Sequence, residues 1–257
     1  MKAIILAAGQ GTRLRPLTDK CPKAMVKLHN KSLLDYQIEQ FHRAGIQDIA
    51  VITGYKREAV TTEHAIKLYT NERFAETNMV YTLFCAQDEL QEDVIVSYGD
   101  IFYSEPALQK LMSSESDISV VVDTQWKSYY AERFGNPYDD AESLVLNEAG
   151  QIRSIGQSQP LLENIQAQYI GLMRFKQRGL EQIKGIFHES MQSDAPIGWG
   201  RAAEKAYMTD LLQEAIHRGF DIQAVPIDGG WFEIDSLHDY EVALKCMDKS
   251  ELWKKAK

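Results

Sequence analysis

Short runs of consecutive apolar residues alternate with segments of helical periodicity along the first half of the chain. Apolar runs of this length are typical of strands that are buried on both faces of a sheet. Leu34, Ile38 and Phe41 recur on one helix face, and Ser32 and Asp35 have capping-box spacing. The predicted strands are residues 2–6, 48–53, 93–100 and 117–124, and the predicted helices are 32–45, 56–67, 79–90 and 105–114. This alternation predicts an α/β fold with helices on both faces of the sheet.

The second half of the chain has a different pattern. Residues 143–156 predict two short strands around a turn, and residues 166–175 predict a further strand. Helical periodicity resumes at 177–192 and 204–218, and the chain ends with two short strands and a helix. We therefore expect a mixed central sheet within a single domain of residues 1–257.

Composition narrows the class of protein. Of the 257 residues, 44% are hydrophobic and 25% charged, as in ordinary globular proteins. The formal net charge of −9 argues against a nucleic-acid partner. The three cysteines are far apart in the sequence and form no Cys-x-x-Cys pair, so we expect a reducing, cytoplasmic environment. No apolar stretch approaches the roughly 18–20 residues of a membrane span, and we expect no membrane partner. The sequence leaves a homodimer open.

The stretch "LAAGQGTRLRPLTDKCPK" (6–23) follows the first predicted strand. Gly9 and Gly11 would let backbone amides approach an anion closely. Leu14 replaces the third glycine of a dinucleotide fingerprint, and the Gly-Lys-Ser/Thr of a P-loop is absent. The two glycines alone are equally compatible with a plain tight turn. Arg13 and Lys23 favour a phosphate ligand, because each charge-assisted hydrogen bond is worth roughly 1.5–3 kcal/mol.

The same stretch resembles the signature of nucleotidyltransferases of the sugar-phosphate pyrophosphorylase type, L-A-A-G-x-G-T-R-L-x-P-L-T-x-x-x-P-K. The resemblance implies a Rossmann-like nucleotidyltransferase fold and an enzyme that joins a nucleoside triphosphate to a phosphate-bearing partner. It implies catalytic roles for Lys23, Arg13 and Asp100. The implied nucleotide-binding residues of the loop are Leu6, Ala7, Ala8, Gly9, Gly11, Thr12 and Arg13.

We divide the predicted domain accordingly. Residues 1–125 are the expected nucleotide-binding half, residues 126–235 the acceptor-binding half with an inserted hairpin, and residues 236–257 a closing helix.

Two aspartates, Asp100 and Asp235, stand at the ends of predicted strands. Ligands of open α/β sheets bind beyond the carboxyl ends of the strands, and carboxylates are typical ligands of Mg²⁺. The resemblance also implies metal-binding aspartates at these positions. A turn or cap role is the alternative for each, although Ser236 offers another cap. Glu233 points the same way as Asp235 and is a second ligand, a partner for a substrate amine or a surface residue.

Two further segments resemble cytidylyltransferases that act on small headgroups. Residues 77–86 resemble a segment of phosphocholine cytidylyltransferases, which implies that Asn78 and Tyr81 contact the base or the acceptor. Residues 120–144 resemble a block of cytidylyltransferases for phosphonates and phosphoglutamine. Its matching positions are Trp126, Arg133, Pro137, Asp140, Ala141 and Glu142. Tyr98 joins the expected nucleotide-binding residues, and the expected acceptor-binding residues are Trp126, Arg133, Tyr169, Glu233 and Trp231.

Each of these assignments has a structural alternative. Trp126 either faces an ammonium group by cation–π contact or belongs to the core, and Tyr81 is either a ligand contact or a core aromatic. Arg133 is expected to pair with the phosphoryl group of the acceptor. Asp140 and Glu142 either bind an amine or are solvated loop acids.

The sequence therefore predicts a cytoplasmic, Mg²⁺-dependent cytidylyltransferase whose substrates are CTP and a small anionic or zwitterionic phosphoryl compound. The expected acceptors are phosphoglutamine, aminoethylphosphonate and phosphocholine, in that order. The products would be pyrophosphate and a CMP-linked headgroup for a surface polysaccharide or lipid. An ionised phosphoryl oxygen needs no protein base, which fits the scattered histidines. The alternative is a sugar-1-phosphate nucleotidyltransferase, although the chain lacks the long sugar-binding middle of those enzymes.

Overall fold

A computed structural model describes residues 1–249 of the chain. The strands are β1 (Lys2–Ala7), β2 (Lys27–Leu28), β3 (Lys31–Ser32), β4 (Ile49–Thr53), β5 (Lys67–Thr70), β6 (Val94–Tyr98), β7 (Ile101–Tyr103), β8 (Ile118–Asp123), β9 (Leu144–Leu146), β10 (Ile152–Ile155), β11 (Gln168–Phe175), β12 (Gln223–Ile227) and β13 (Trp231–Glu233). The α-helices are α1 (Leu33–Arg43), α2 (Met79–Phe84), α3 (Glu105–Met112), α4 (Trp126–Phe134), α5 (Gln177–Ser193), α6 (Met208–His217) and α7 (Leu237–Lys249).

Seven strands form one central sheet in the order β12-β8-β11-β6-β1-β4-β5. Strand β1 pairs in parallel with β4 and β6, and β11 runs antiparallel to both β6 and β8. The predicted α/β fold with a mixed central sheet is thus confirmed. Because β1 and β6 are parallel neighbours, with Leu6 opposite Tyr98, the segments that follow them emerge side by side at one edge.

The first helix forms as its sequence predicts. Ser32 Oγ accepts a hydrogen bond from the backbone N–H of Asp35 at 3.0 Å, which caps the helix. Leu34, Ile38 and Phe41 are fully buried against the sheet, and Gly45 ends the segment with φ +85°. The hairpin predicted within residues 143–156 is also present, as the antiparallel pair β9–β10.

The helix predicted at 56–67 is wrong. The segment contains one short 3₁₀ turn, Arg57–Ala59, and leads into the edge strand β5. The β-branched residues Val60, Thr61 and Thr62 oppose a helix here, and Thr62 Oγ1 instead donates a hydrogen bond to Asp35. The helix predicted at 79–90 is present but ends at Phe84.

The division of the chain into two halves and a closing helix stays a prediction. Helix α7 occupies the start of the predicted closing segment, and residues 250–257 lie outside the described residues. Among the helices of residues 1–249, none combines the length and the apolar character that crossing a membrane requires.

Candidate active site

The stretch 6–23 leaves the end of β1 as a loop that turns back over Lys23. Gly11 has φ +61°, and a Cβ there would lie 3.2 Å from Lys23 Cβ, so both the backbone conformation and the close approach favour glycine. Thr18 Oγ1 donates a hydrogen bond to the Gly11 carbonyl at 2.7 Å and fixes the loop. Thr12 and Arg13 lie in a short 3₁₀ turn, Thr12–Leu14, and the Arg13 side chain is exposed.

Lys23 follows Pro22 and is nearly buried. Its ammonium group lies 2.5 Å from Asp100 Oδ2 and also contacts Asp235 Oδ1. Burial alone would lower the pKa of Lys23, but the carboxylates of Asp100 and Asp235 outweigh burial and raise it. Arg13 Nη2 lies 3.2 Å from Asp235 Oδ2, so two cations of the signature stretch meet one aspartate.

The carboxylates of Asp100, Glu233 and Asp235 form a group that we call the carboxylate cluster. One oxygen of each residue lies within 4.8 Å of the others. The short ladder between β7 and β13 creates this proximity, because it places Glu233 opposite Ile101. Burial and the neighbouring Asp235 raise the pKa of Glu233. Burial would also raise the pKa of Asp235, but the Lys23 ammonium outweighs it and lowers this pKa.

The carboxylate cluster fits a divalent cation such as Mg²⁺, which prefers oxygen ligands. Asp100 Oδ1 is buried and has no hydrogen-bond partner among residues 1–249, which leaves a ligand position unused. Asp235 is not needed as a helix cap, because Ser236 Oγ accepts a hydrogen bond from the backbone N–H of Asp239 at 3.2 Å. Asp100, Asp235 and Glu233 are therefore the residues that would hold the cation.

Arg133 is a buried residue that contacts the carboxylate cluster. Its side chain is only 1% exposed, its Nη1 lies 2.8 Å from Glu233 Oε2, and its Nε lies 2.9 Å from Asp239 Oδ1. Its predicted contact with the acceptor's phosphoryl group stays a prediction, because this conformation directs the guanidinium at carboxylates of the chain itself.

A cavity at the ends of β1 and β6, the loop cavity, collects most of the expected nucleotide-binding residues. These are Leu6, Ala7, Ala8, Gly9, Asn78 and Tyr98, and the expected catalytic residues Lys23 and Asp100 line it as well. Gly11, Thr12 and Arg13 do not line it. A Cβ on Gly99 would lie 2.8 Å from the Leu6 carbonyl, so this glycine lets β6 end close to β1. Tyr81 does not line the loop cavity and contacts the Arg73 guanidinium instead, 5.2 Å from the ring centroid. Phe74, which no sequence motif indicated, also lines the loop cavity. So do Thr77 and Thr82, which belong to the resembling segment 77–86 but were not expected to contact a ligand.

A second cavity of about 480 Å³ adjoins the first, and we call it the acidic cavity. Met79 and Tyr98 line both cavities. The carboxylates that line the acidic cavity are Asp139, Asp140, Glu142, Glu233 and Asp235, and its tyrosines are Tyr98, Tyr130, Tyr169 and Tyr207. No lysine or arginine is among the described residues that line it.

The loop acids Asp140 and Glu142 are therefore part of this cavity. Desolvation and the charge of Asp140 raise the pKa of Glu142 to about 7. Desolvation likewise raises the pKa of Asp140.

The two expected acceptor-binding tryptophans lie elsewhere. Trp126 is 1% exposed and packs edge-on against Tyr130, with 5.3 Å between ring centroids. Trp231 is 2% exposed, and its indole N–H donates to Asp123 Oδ2 at 2.9 Å. Neither residue lines the acidic cavity, whereas Tyr169 does.

The chain belongs to the nucleotidyl transferase family, whose sequence model matches residues 2–146, including the signature stretch and Asp100. The family predicted from the sequence is thereby confirmed. Two cytidylyltransferases are among its relatives within this family. The chain is 39% identical to the CTP:phosphoglutamine cytidylyltransferase of Campylobacter jejuni over 95% of its own length and 100% of that protein. It is 33% identical to the choline-phosphate cytidylyltransferase of Streptococcus pneumoniae over 93% of its own length and 95% of that protein.

A solved structure supports the same relation. The CTP:phosphocholine cytidylyltransferase of Streptococcus pneumoniae superposes with a TM-score of 0.73 and 25% identity, over 96% of this chain and 98% of that one. Uridylyl- and thymidylyltransferases for glucose 1-phosphate also match the sequence, at lower identity.

Proposed function

We propose that this protein is a CTP-dependent cytidylyltransferase that transfers CMP to a small phosphoryl compound bearing an ammonium group and releases pyrophosphate. The observation that carries the proposal is the meeting of the loop cavity and the acidic cavity at the carboxylate cluster. A triphosphate held under the glycine loop and an acceptor in the acidic cavity would present their reacting groups to each other at that point. The identity to two cytidylyltransferases over nearly their whole lengths supports CTP as the nucleotide.

The reaction is an in-line displacement. A phosphoryl oxygen of the acceptor forms a bond to the α-phosphorus of CTP, and the bond from that phosphorus to the bridging oxygen of the β-phosphate breaks. Pyrophosphate leaves with the electron pair of the broken bond. The attacking oxygen is already ionised near neutral pH, so the protein aligns and neutralises charge and removes no proton.

Residues of the signature stretch perform the alignment. Gly9 lines the loop cavity, and the backbone amides of the loop from Gly9 to Gly11 would be donors for phosphate oxygens. Arg13 and Lys23 supply positive charge beside the α-phosphate and the leaving pyrophosphate. Tyr98 and Asn78 line the same cavity, where the base and ribose would lie.

Mg²⁺ is the divalent cation that we propose for the carboxylate cluster. When bound, it would neutralise phosphate charge and help orient the α-phosphate. Asp100 and Asp235 would be its ligands, and Glu233 is close enough to be a third.

The charge of the acidic cavity supports the ammonium group of the acceptor. Asp139, Asp140 and Glu142 remain without a lining cation once Glu233 and Asp235 are assigned to the metal. Burial raises the pKa of Asp140 and Glu142, and an ammonium group beside them would favour their ionised forms, whereas a neutral sugar ring would not. The acidic cavity therefore favours the three ammonium-bearing acceptors over a sugar 1-phosphate, which we place last. Among the three we rank phosphoglutamine first, because the identity to the phosphoglutamine cytidylyltransferase is higher than to the choline-phosphate cytidylyltransferase, and 2-aminoethylphosphonate and phosphocholine follow.

The proposed cellular location and the use of the product follow from the substrates. A CTP-consuming enzyme is expected in the cytoplasm, and its CMP-linked product would supply a headgroup for a surface polysaccharide or lipid.

A pyrophosphate-release assay tests the proposal. CTP, UTP, dTTP and ATP would each be combined with phosphoglutamine, 2-aminoethylphosphonate, phosphocholine and glucose 1-phosphate, with Mg²⁺ present or replaced by EDTA. We expect turnover with CTP and an ammonium-bearing acceptor only, abolished by EDTA, and a CMP-linked product in the mass spectrum. Preferred turnover of glucose 1-phosphate with UTP or dTTP would instead establish the sugar-nucleotide alternative.

A further inference from the structure

The cation position of the carboxylate cluster already contains a positive charge from the chain. Lys23 Nζ lies 2.5 Å from Asp100 Oδ2 and contacts Asp235 Oδ1, so the ammonium group bridges the two strand-end acids. The Lys23 side chain is 12% exposed, which leaves little water to compete for it. An ammonium group in this place makes the contacts that a metal ion would otherwise make.

Three cations of the chain contact the carboxylate cluster, although one of them, Arg133, also pairs with Asp239. Asp100, Glu233 and Asp235 carry three negative charges if all are ionised. The cations on them are Lys23, Arg13 at 3.2 Å from Asp235, and Arg133 at 2.8 Å from Glu233. A divalent cation that arrives alone must therefore displace Lys23 or accept its repulsion.

The Lys23 side chain has a second possible position, in the loop cavity. It also lines the loop cavity, and its Cβ and Cγ pass directly beneath Gly11, 3.2 and 3.3 Å from the position of a Cβ there. Its backbone is held between Pro22 and the 3₁₀ turn that begins at Lys23. Rotation of the flexible lysine side chain alone would move the ammonium from the carboxylates to a triphosphate under the loop.

We propose that Lys23 is a resident cation that occupies the metal position between Asp100 and Asp235 in the nucleotide-free enzyme, so that a divalent cation and a triphosphate bind cooperatively. This inference rests on the proposed function for its metal and its nucleotide class. The triphosphate draws Lys23 away from the acids and opens the position, and the metal in turn releases Lys23 for the phosphates. Linkage requires that each ligand increases the affinity of the other by the same factor. The arrangement disfavours binding of metal without substrate.

Binding of Mn²⁺, followed by electron paramagnetic resonance without turnover, tests the inference. Measured without nucleotide, Lys23→Met should bind Mn²⁺ about 10-fold or more tightly than the wild type, because a repelling charge has been removed. Inorganic tripolyphosphate should increase Mn²⁺ affinity several-fold less in Lys23→Met than in the wild type. The matched control is Lys110→Met, which removes a lysine that contacts the Pro226 carbonyl at the far sheet edge and should leave both affinities unchanged.

Equal or weaker Mn²⁺ binding by folded Lys23→Met would overturn the inference. Thermal unfolding checks the fold of the variant, and Lys23→Gln, which lacks the charge but keeps a polar side chain, replaces it if the methionine variant does not fold. Absence of any tripolyphosphate effect on Mn²⁺ binding by the wild type would also overturn it. The test involves neither CTP nor an acceptor, so a wrong acceptor or nucleotide base leaves its outcome unaffected.

Discussion

The loop cavity and the acidic cavity differ in how the chain builds them. The loop cavity is lined mainly by the signature stretch and the neighbouring end of β6, with a further group of residues from 74–82. The acidic cavity combines single residues of α2, β6 and α4, Met79, Tyr98 and Tyr130, with residues from five further segments, 139–142, 158–159, 168–171, 207–209 and 233–235. The first is suited to polyphosphate and the second to a cationic headgroup. The contrast suggests that the nucleotide site is a fixed property of the fold, whereas the acceptor site depends on side-chain charge.

A substitution at the border between the two cavities should lower the catalytic rate most. Asp100→Asn keeps the shape of the side chain but removes one charge from the carboxylate cluster. We expect kcat to fall about 10³-fold or more, because charge stabilisation of this kind is worth at least 10²–10³ in rate. CTP binding should persist, because the loop contacts remain. Pyrophosphate release and calorimetric titration with CTP measure the two effects.

The control for this variant is Asp88→Asn, at an exposed position remote from both cavities. It should leave kcat unchanged. Near-normal turnover by Asp100→Asn would exclude Asp100 as a metal ligand and remove the border between the two cavities as the reaction site.

Substitutions inside the acidic cavity should change the KM for the acceptor and leave the KM for CTP unchanged. The pKa of Glu142 is raised to about 7 by desolvation and by Asp140. The carboxylate that pairs with an ammonium group is therefore formed as the pH rises through neutrality, so the acceptor KM of the wild type should fall between about pH 6 and pH 8. Glu142→Gln should raise this KM about 10-fold at pH 8 and flatten its pH dependence, while the CTP KM stays constant.

Glu163→Gln provides the matched control, because Glu163 is exposed and lines neither cavity. Initial rates are measured at saturating CTP with the same acceptor for all variants. Any effect of the acceptor's own ionisation on KM is then common to all variants and does not alter the comparison. If Glu142→Gln and the wild type share one pH profile, Glu142 does not bind the ammonium group.

Six of the ten residues expected to bind the nucleotide line the loop cavity, and the determinants of this region are local in the sequence. Three of its features can be recognised from the sequence alone: a glycine that accepts a positive φ, a lysine after a proline and an acid at a strand end. The buried runs of β1, β4 and β6 likewise predicted a sheet, and Asp100 and Asp235 were expected beyond the carboxyl ends of its strands.

The acidic cavity was less predictable because distant segments create it. Ser158, Gln159 and Thr209 enter the cavity only through the packing of loops and α6, and no spacing signalled them. The helix expected at 56–67 failed for a related reason, since a β-branched run and an edge-strand partner outweighed its apparent periodicity. The sequence could not decide whether Asp140 and Glu142 face solvent or a cavity, because other segments of the chain form the rest of that cavity.

The smallest effect on activity is expected at Trp126, whose place in the acceptor half suggested a ligand contact. The structure buries its ring between Tyr130 and Tyr138, away from the acidic cavity. Trp126→Phe should lower the free energy of unfolding by about 1–3 kcal/mol, because it leaves a gap in the core, and should change the acceptor KM less than twofold. Urea unfolding and initial-rate kinetics measure these quantities. A large rise in acceptor KM with unchanged stability would instead place Trp126 in the acceptor site, and charge alone would then not explain acceptor recognition.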